Sequence, residues 1–391
     1  MNQFQKDIIT IIYSALTNSK SKISSSFSIE KGAQLAKKHN ISTIFYEGAL
    51  LCGIPADNPT MKELFLGAYM AIAKSAQQLH EIDLLTQKFD ENKIDYMLLK
   101  GSILKQLYPK PEMRSMGDAD ILIKVEQYDK ISEILSELGF TFKCETDHEL
   151  VWEKKTLFLE LHKSVMTTYN KDFYEYFNTG WEFAKKTSEK STRYELKRED
   201  FFIYLFIHFT KHYRISGIGI KHLIDLWVYK NLNKDMDENY IIEEIDKLKL
   251  REFYHNVNDT IDVWFNEKRE NEKTNLITDL IFSSGQYGSQ EMSNINRIIR
   301  EMGANKSASS VKTKKVFKII FLPYNKMCEK FSILKKLPIL LPIMWCVRLF
   351  DIMFCKKEKL AKYRTNLKKV DKETIDEHQW ALNFVGLKFK E

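Results

Sequence analysis

Two aspartates in the segment Asp118-Ala-Asp120-Ile-Leu-Ile constrain the fold of this chain more than any other feature. The aliphatic residues that follow them predict a buried β-strand. Side chains alternate between the two faces of a strand, so Asp118 and Asp120 point to one side while Ala119 and Ile121 point to the other. Two carboxylates this close together need a cation or a proton. The pattern therefore indicates a strand that holds a divalent metal, as is typical of phosphoryl-transfer chemistry.

The segment before this strand predicts an anion-binding turn. Ile94 to Leu99 is a short apolar run bounded by charge, which indicates a buried strand, and Lys100-Gly101-Ser102 then opens a short helical stretch. A glycine lets the backbone approach a phosphate, the Ser102 hydroxyl can bond a phosphate oxygen, and the first turn of a helix offers unpaired N–H groups. Lys100 and Arg114 could add charged contacts to the same phosphates.

A third carboxylate is expected from the segment Leu157 to His162, which alternates as a second strand. Alternation places Glu160 and His162 on one face, so Glu160 could join Asp118 and Asp120 if the two strands are neighbours. Such a triad would hold two metal ions, and these three carboxylates are the predicted catalytic and metal-binding residues. His162 either contacts the substrate or satisfies a hydrogen bond beside the carboxylates.

Together these residues resemble the signature of the polymerase-β-like nucleotidyltransferase superfamily. More narrowly, the chain is similar to the bacterial "uncharacterised nucleotidyltransferase" family in three stretches: Leu98 to Ile123, Glu160-Leu-His162, and His208 to Asp225. The resemblance implies a nucleotidyltransferase core that uses Mg²⁺, or Mn²⁺, to transfer a nucleoside monophosphate to an acceptor that is unassigned for most members. One departure from the superfamily's pattern is the longer spacer, since fifteen residues separate Ser102 from Asp118.

The third of these stretches contains a cluster of polar residues on two predicted helices. His208 and His212 are four residues apart and share a helix face, whereas Lys221 and Asp225 follow on the next helix. The pair of histidines lacks the glutamate pattern of a zinc protease. The family resemblance implies a lid behind the nucleotide, with His212, Lys221 and Asp225 contacting base, ribose or phosphate. A buried hydrogen-bond network between the two helices is the open alternative.

Positive charge is concentrated at the C-terminal end of the chain. Residues 301–391 contain 20 Lys+Arg against 9 Asp+Glu, a net charge of +11, whereas the first 300 residues contain 40 against 44. A protein that grips a long nucleic-acid backbone needs many cations around its site. The balance in the catalytic part therefore argues against nucleic acid as a partner, including the RNA ends that some members of the superfamily modify.

The most apolar stretch of the chain, Ile333 to Cys355, lies in this basic region. The nineteen residues from Leu337 to Cys355 would barely span a bilayer, and Arg348 and Asp351 interrupt them. One interpretation is a helix in the interface of an anionic membrane, anchored by Trp345 and flanking lysines. The other, which we prefer at this point, is a core helix that covers the catalytic domain.

The distribution of predicted elements indicates an α+β protein in which a small mixed-sheet nucleotidyltransferase core is flanked by N-terminal and C-terminal helical regions. The expected boundaries are a helical region at 1–92, the core at 93–165, a helical domain that closes on it at 166–300, and a basic, apolar helical region at 301–391. Five scattered cysteines favour a reducing, cytoplasmic setting. The N-terminus lacks the basic start and apolar run of a signal peptide.

The expected function is an enzyme that moves a nucleoside monophosphate from an NTP to an unidentified acceptor, with release of pyrophosphate. The acceptor could be a small molecule, a glycan intermediate or a protein. The alternative is a non-catalytic nucleotide-binding, peripheral membrane or assembly protein in a surface-polysaccharide or peptide-modification pathway. The expected location is the cytoplasm, with peripheral association with the inner face of the membrane as a further expectation from the basic C-terminal region.

Overall fold

The structure is a computed structural model that describes residues 1–168, 170–286, 288, 321–354 and 372–387. The chain divides into two compact units, one formed by Met1–His212 and Ile218–Tyr287 and the other by Tyr213–Gly217 and the residues from Gly288 onward. The first unit contains a mixed seven-stranded sheet flanked by helices. This arrangement confirms the predicted α+β class.

Four helices precede the sheet: α1 (Gln3–Thr17), α2 (Ile29–His39), α3 (Ser42–Leu51) and α4 (Pro59–Glu91). The start of α4 is capped by Asn58, whose side chain accepts a hydrogen bond from the backbone N–H of Thr60 at 2.9 Å. An asparagine cap followed by a proline is a favoured helix start, since the cap satisfies a free N–H and proline lacks one. Helix α4 therefore begins at a favourable capping sequence.

The sheet consists of strands β1 (Tyr96–Leu98), β2 (Asp118–Ile123), β3 (Thr141–Glu145), β4 (Glu149–Lys154), β5 (Leu157–His162), β6 (Ala184–Lys186) and β7 (Arg193–Leu196). Their order across the sheet is β3-β4-β5-β2-β1-β7-β6. The pairs β2–β5 and β1–β7 are parallel, and the other neighbours are antiparallel. The central position of β2 places the Asp118 strand between β1 and β5.

One face of the sheet is covered by α4 and by α6 (Tyr128–Glu137), and it holds the main apolar core of the first unit. Ala119 and Ile121 of β2 lie in this core and are fully buried. The apolar side chains of α6 recur on one face, as expected for a helix packed on a sheet. Gly139 follows α6 with a φ of +80°, the left-handed conformation in which a glycine commonly ends a helix. The opposite face of β2 is therefore the one that carries Asp118 and Asp120.

Between β1 and β2 the chain forms α5 (Lys100–Leu104) and two short 3₁₀ turns, Lys105–Leu107 and Pro111–Met113. The predicted helical stretch is present here, although it begins at Lys100 and tightens to 3₁₀ geometry after Leu104. The long spacer before Asp118 is thus an ordered connection rather than a simple loop.

The sheet extends beyond the predicted core, because β6 and β7 come from a segment for which the sequence predicts helix. These strands have only three and four residues and contain mainly charged side chains. Strands this short show no readable alternation, so periodicity could not find them. The remaining helices of this part of the chain are α7 (Lys171–Phe177), α8 (Arg198–Ile215), α9 (Ile220–Leu232), α10 (Glu238–Lys247), α11 (Arg251–Phe265) and α12 (Glu272–Ser283).

The second unit is described in part, and residues 301–320, 355–371 and 388–391 of the predicted C-terminal region lie outside the described residues. Its described helices beyond residue 320 are Tyr324–Lys330, Leu341–Phe354 and Lys372–Phe384. A small apolar cluster is formed by Met327, Cys328 and Leu334. Among the described helices of the chain, none is long and apolar enough to cross a membrane.

The close packing of α3 on α1 gives a test of the fold. A Cβ atom at Gly48 of α3 would lie 1.9 Å from the backbone carbonyl oxygen of Ile11 in α1. We expect Gly48→Ala to lower the free energy of unfolding by about 2 kcal/mol, because the two helices must separate. Gly67→Ala is the control, since that position in α4 has open space around it. It should stabilise by about 0.5–1 kcal/mol through helix propensity. Urea denaturation of both variants measures the difference, and equal effects would contradict the packing.

Candidate active site

The pairing of β2 with β5 brings the predicted carboxylates together. The two strands are parallel neighbours, and Asp120 lies directly beside Glu160 in the register. Because side chains alternate, Asp118, which stands two residues before Asp120 in β2, lies on the same face. The condition on which the predicted carboxylate triad depended, that the two strands are neighbours, is therefore met.

Asp120 is the centre of this face. Its carboxylate is buried, and Oδ1 accepts a hydrogen bond from Nε2 of His162 at 2.8 Å and lies 2.8 Å from Nζ of Lys100. Burial alone would raise the pKa of Asp120, but the Lys100 ammonium and the His162 ring outweigh it and hold this pKa below its usual range. The carboxylate is therefore ionised throughout the neutral pH range.

His162 connects the two strands chemically. Its Nε2 contacts Asp120 and also lies 3.6 Å from Oε2 of Glu160. Burial disfavours a charged ring, yet the hydrogen bonds to the two carboxylates raise the pKa of His162 above its ordinary value. The arrangement corresponds to the alternative in which this histidine satisfies a hydrogen bond beside the carboxylates, while its ring also lines the cavity described below.

Lys100 reaches Asp120 from an unusual backbone conformation. It follows β1 with a φ of +27°, outside the regions that residues with a Cβ normally occupy. Such strain persists only where the surroundings impose it, and it is concentrated at functional sites. Burial disfavours the ammonium, but the charge of Asp120 dominates and raises the pKa of Lys100. Lys100 is therefore a permanent cation at the floor of the site.

Asp118 has a different environment from Asp120. It is half-buried and forms no ion pair with any residue that the structure describes. Burial, together with the charges of Asp120 and Glu160, raises the pKa of Asp118. The three carboxylates thus carry more negative charge than Lys100 neutralises.

This donor set fits a divalent cation. The ligand atoms of Asp120, Glu160 and His162 all lie within 4.8 Å of one another. Carboxylate oxygens suit Mg²⁺ and Mn²⁺, and an imidazole beside them is better tolerated by Mn²⁺. Asp118 adds a further oxygen donor on the same face. The residues present are therefore able to hold the metal that the sequence predicts.

A cavity of ≈ 220 Å³ opens over this face of the sheet. Carboxylates of β2 and β5 line one side, and residues of α8 and α9 line the other. Nine of the eleven predicted site residues line it: Lys100, Gly101, Arg114, Asp118, Asp120, Glu160, His162, His212 and Lys221. The structure therefore gathers in one place residues that are more than a hundred positions apart in the sequence.

The remaining two predicted site residues, Ser102 and Asp225, lie behind the cavity wall. Ser102 is fully buried in α5, and among the described residues its hydroxyl has no hydrogen-bond partner. Asp225 is also buried, and its partners lie in the segment between β1 and β2 rather than on α8. Its Oδ1 and Oδ2 accept hydrogen bonds from Nε and Nη2 of Arg114 at 2.8 and 3.0 Å, and Tyr108 donates to Oδ1 at 2.7 Å. Asp225 thus fixes the guanidinium of Arg114 at the edge of the cavity.

Two lysines on the helical side of the cavity lack carboxylate partners. Lys211 forms no hydrogen bond or ion pair among the described residues, and Lys221 makes a single long contact with the carbonyl oxygen of Ser115 at 3.4 Å. Burial lowers the pKa of both lysines to about 8, and a neighbouring cation, Lys100 for Lys211 and Arg114 for Lys221, adds to the effect. Partly desolvated ammonium groups without partners are suited to bind an anion.

Lys211 was not among the predicted site residues, although the sequence carried a signal for it. It stands three residues after His208, so the two share a helix face together with His212.

Three neutral imidazoles lie beside these lysines. The ring centroids of His208 and His212 are 4.5 Å apart, and His222 of α9 lies 6.0 and 6.1 Å from them. Burial lowers the pKa of all three rings, to about 3 for His212. The helical wall therefore presents uncharged rings and two lysines toward the carboxylates.

The turn between β3 and β4 supplies two residues that the sequence did not indicate. Nε2 of His148 lies 3.1 Å from Oε2 of Glu149, and both side chains line the cavity. With His162 they form a second group whose ligand atoms lie within 4.8 Å of one another. Nothing in the spacing of the turn distinguishes these residues from an exposed polar loop, because only the sheet brings them to the site.

A family model described as "Uncharacterised nucleotidyltransferase" matches residues 25–266, which is more than half of the chain. The matched range contains the whole sheet and helices α8 and α9, and so every residue of the site described above except Gln286 at the cavity rim. Neither a curated protein nor a solved structure matches the chain significantly.

The buried pair of Arg114 and Asp225 can be tested by stability. Asp225→Asn removes the charge that compensates the buried guanidinium, so we expect it to lower the free energy of unfolding by about 3 kcal/mol. Asp235→Asn is the matched control, because Asp235 pairs with Arg198 at 2.8 Å on the exposed surface and should contribute little. Chemical denaturation of both variants measures the difference. A loss no greater for Asp225→Asn than for the control would mean that the buried pair does not support the fold.

Proposed function

The chain belongs to the uncharacterised nucleotidyltransferase family, and from that premise we propose that it transfers a nucleoside monophosphate from an NTP to an acceptor in a reaction that depends on Mg²⁺ or Mn²⁺. Pyrophosphate is the second product. The observation that carries the proposal is the charge pattern of the cavity, which is lined by Asp118 and Glu160 and by two lysines that form no ion pair with any carboxylate in the described part of the chain.

This charge pattern is complementary to a metal–nucleotide complex. The carboxylates on the sheet need positive charge, and Lys211 and Lys221 on the helices need negative charge. A divalent cation alone would satisfy only the first group, and a nucleotide alone would satisfy only the second. The complex of the two supplies both, which supports an NTP with its metal as the substrate.

In the proposed reaction the acceptor oxygen forms a bond to the α-phosphorus, and the bond from that phosphorus to the bridging oxygen of the pyrophosphate breaks. Asp118, Asp120 and Glu160 would hold the metal, which when bound supplies charge neutralisation on the phosphates. Glu160 is half-buried beside the cavity and is placed to accept the proton of an acceptor hydroxyl. Catalysis would rest mainly on positioning and electrostatic stabilisation.

The two lysines of the cavity interact with different carboxylates. The carboxylates that act on Lys221 are Asp225 and Asp118, whereas those that act on Lys211 are Asp120, Glu149 and Glu160. We assign the triphosphate to the part of the cavity beside Lys221 and Arg114, since two hydrogen bonds to Asp225 hold the Arg114 guanidinium in place. Lys211 then lies on the acceptor side of Glu160. Because all three carboxylates are present, we favour a catalytic role over that of a non-catalytic nucleotide-binding protein.

The role of Asp118 is tested by its amide variant. Because Asp118 forms no ion pair within the described part of the chain, Asp118→Asn should leave the fold intact and reduce Mg²⁺-dependent transfer by at least about 10³-fold. Asp129→Asn is the control, at an exposed position in the first turn of α6. The assay follows label from each α-³²P-NTP into acceptors supplied by a cell extract. Transfer by Asp118→Asn at the rate of the control would exclude the proposed metal-binding role.

The two lysines predict how nucleotide affinity depends on pH. Their pKa of about 8 means that both are charged below pH 8 and lose charge above it. A bound triphosphate favours the charged form and raises this pKa in the complex. Affinity should therefore be high below pH 8 and fall as pH rises beyond it, by up to about tenfold per pH unit for each lysine. Calorimetric titration with a non-hydrolysable NTP analogue from pH 7 to 9.5 measures the slope.

Lys211→Met and Lys221→Met are the matched variants for this titration. Each should bind the analogue more weakly at pH 7 and show a shallower fall with pH, since one titrating group is removed. A pH profile that is the same in wild type and in both variants would show that neither lysine contacts the nucleotide.

A further inference from the structure

The helix Leu341–Phe354 exposes an apolar face over the part whose side chains the structure describes, residues 341–350. Over Leu341 to Phe350, every exposed residue is apolar or a cysteine: Pro342, Ile343, Cys346, Val347 and Phe350. At 100° per residue these positions fall within one arc of about 140°. A helix on the surface of a soluble domain normally shows the reverse pattern, with its polar face outward.

The other face of this helix fixes its orientation. Leu341, Met344 and Trp345 pack on the cluster formed by Met327, Cys328 and Leu334. The indole N–H of Trp345 donates a hydrogen bond to the carbonyl oxygen of Leu322 at 3.0 Å. Because these contacts occupy one face, the helix cannot rotate to bury the other without losing them. The exposed apolar face is thus a property of the packed unit.

Further apolar side chains are exposed in the turns that precede the helix. Ile333, Leu337 and Ile339 are exposed, and 84% of the surface of Ile339 is accessible. With Ile343, Val347 and Phe350 they make six large apolar side chains exposed within eighteen positions. Exposed apolar groups in this number mark an interaction surface more often than an ordinary soluble surface.

The segment that precedes this helix is positively charged. Lys326, Lys330 and Lys336 are exposed in the segment that leads to the helix. Residues 301–391 carry 20 Lys+Arg against 9 Asp+Glu. A second copy of the chain would bring its own lysines close to these lysines. Repulsion between them disfavours a dimer in which a second copy covers the apolar face. An anionic lipid surface offers both the apolar layer and the opposite charge.

We propose that this apolar face, formed by Ile333, Leu337, Ile339, Ile343, Val347 and Phe350, binds the surface of an anionic membrane. The helix lies along the interface with its outward face among the upper acyl chains and its lysines at the headgroups. Its fourteen residues extend about 21 Å, too short for an apolar core of about 30 Å. The protein is thereby a peripheral membrane protein, which differs from the core helix preferred from the sequence. The proposal is independent of the proposed activity.

Vesicle co-sedimentation of the full-length protein tests the proposal. Wild type is mixed with vesicles of phosphatidylcholine alone or with vesicles that also contain phosphatidylglycerol. We expect sedimentation with the anionic vesicles, reduced by at least about tenfold in Ile343→Ser/Phe350→Ser, because two inserted side chains are lost. Lys330→Gln/Lys336→Gln should weaken binding to the anionic vesicles by about fivefold for each lysine, and added salt should have the same direction of effect.

A matched control comes from another exposed apolar helix surface. Leu66 and Met70 of α4 are exposed to a similar degree, so Leu66→Ser/Met70→Ser should bind vesicles as wild type does. Circular dichroism of each variant confirms that it is folded. The proposal is overturned if wild type does not sediment with anionic vesicles, or if the helix variant sediments as well as the control. A concentration-dependent dimer that is lost in the helix variant would also overturn it, since a second copy would then cover the face.

Discussion

The buried carboxylate of Asp120, with Lys100 and His162 both on its Oδ1, is the interaction on which the rest of the site depends. A charge buried in this way is tolerated only if its partners are in place, so it requires both the parallel pairing of β2 with β5 and the unusual backbone of Lys100. These two requirements position the neighbouring carboxylates. Asp118 and Glu160 are held on the same face, and among the described residues Asp118 forms no ion pair while Glu160 lies 3.6 Å from Nε2 of His162. Their negative charge suits the site to a bound cation.

A second buried pair determines the opposite edge of the cavity. Arg114 and Asp225 are joined by two hydrogen bonds across 111 positions of the chain, which ties the segment before β2 to helix α9. The same helix carries Lys221, and α8 carries Lys211. The cavity therefore combines carboxylates on the sheet with a wall of neutral imidazoles and of lysines that form no ion pair with the residues that the structure describes. A protein rarely keeps unsatisfied charges of both signs so close together unless a ligand supplies the missing partners.

The sequence predicted the features that depend on local patterns, but not those that depend on contacts between distant segments of the chain. Alternation within β2 and β5 is a local pattern, so it predicted both strands and the shared face of Asp118, Asp120 and Glu160. The pairing of Asp225 with Arg114 could not be read in the same way, because it is set by packing between distant segments. His148, Glu149 and Lys211 were missed since they reach the cavity only through the sheet and the helix pair. Charged strands as short as β6 and β7 give no periodic signal.

If the cavity binds a nucleotide and a divalent metal as one unit, each of the two ligands must raise the affinity of the protein for the other. Each of the four NTPs is titrated calorimetrically into the wild-type protein in Mg²⁺ and, separately, in EDTA. We expect at least one NTP to bind ten- to a hundredfold more tightly in Mg²⁺ than in EDTA. The affinity of the protein for Mg²⁺ should rise by the same factor when that NTP is present. Affinity that is equal in Mg²⁺ and EDTA for every NTP, or no binding at all, would contradict this expectation.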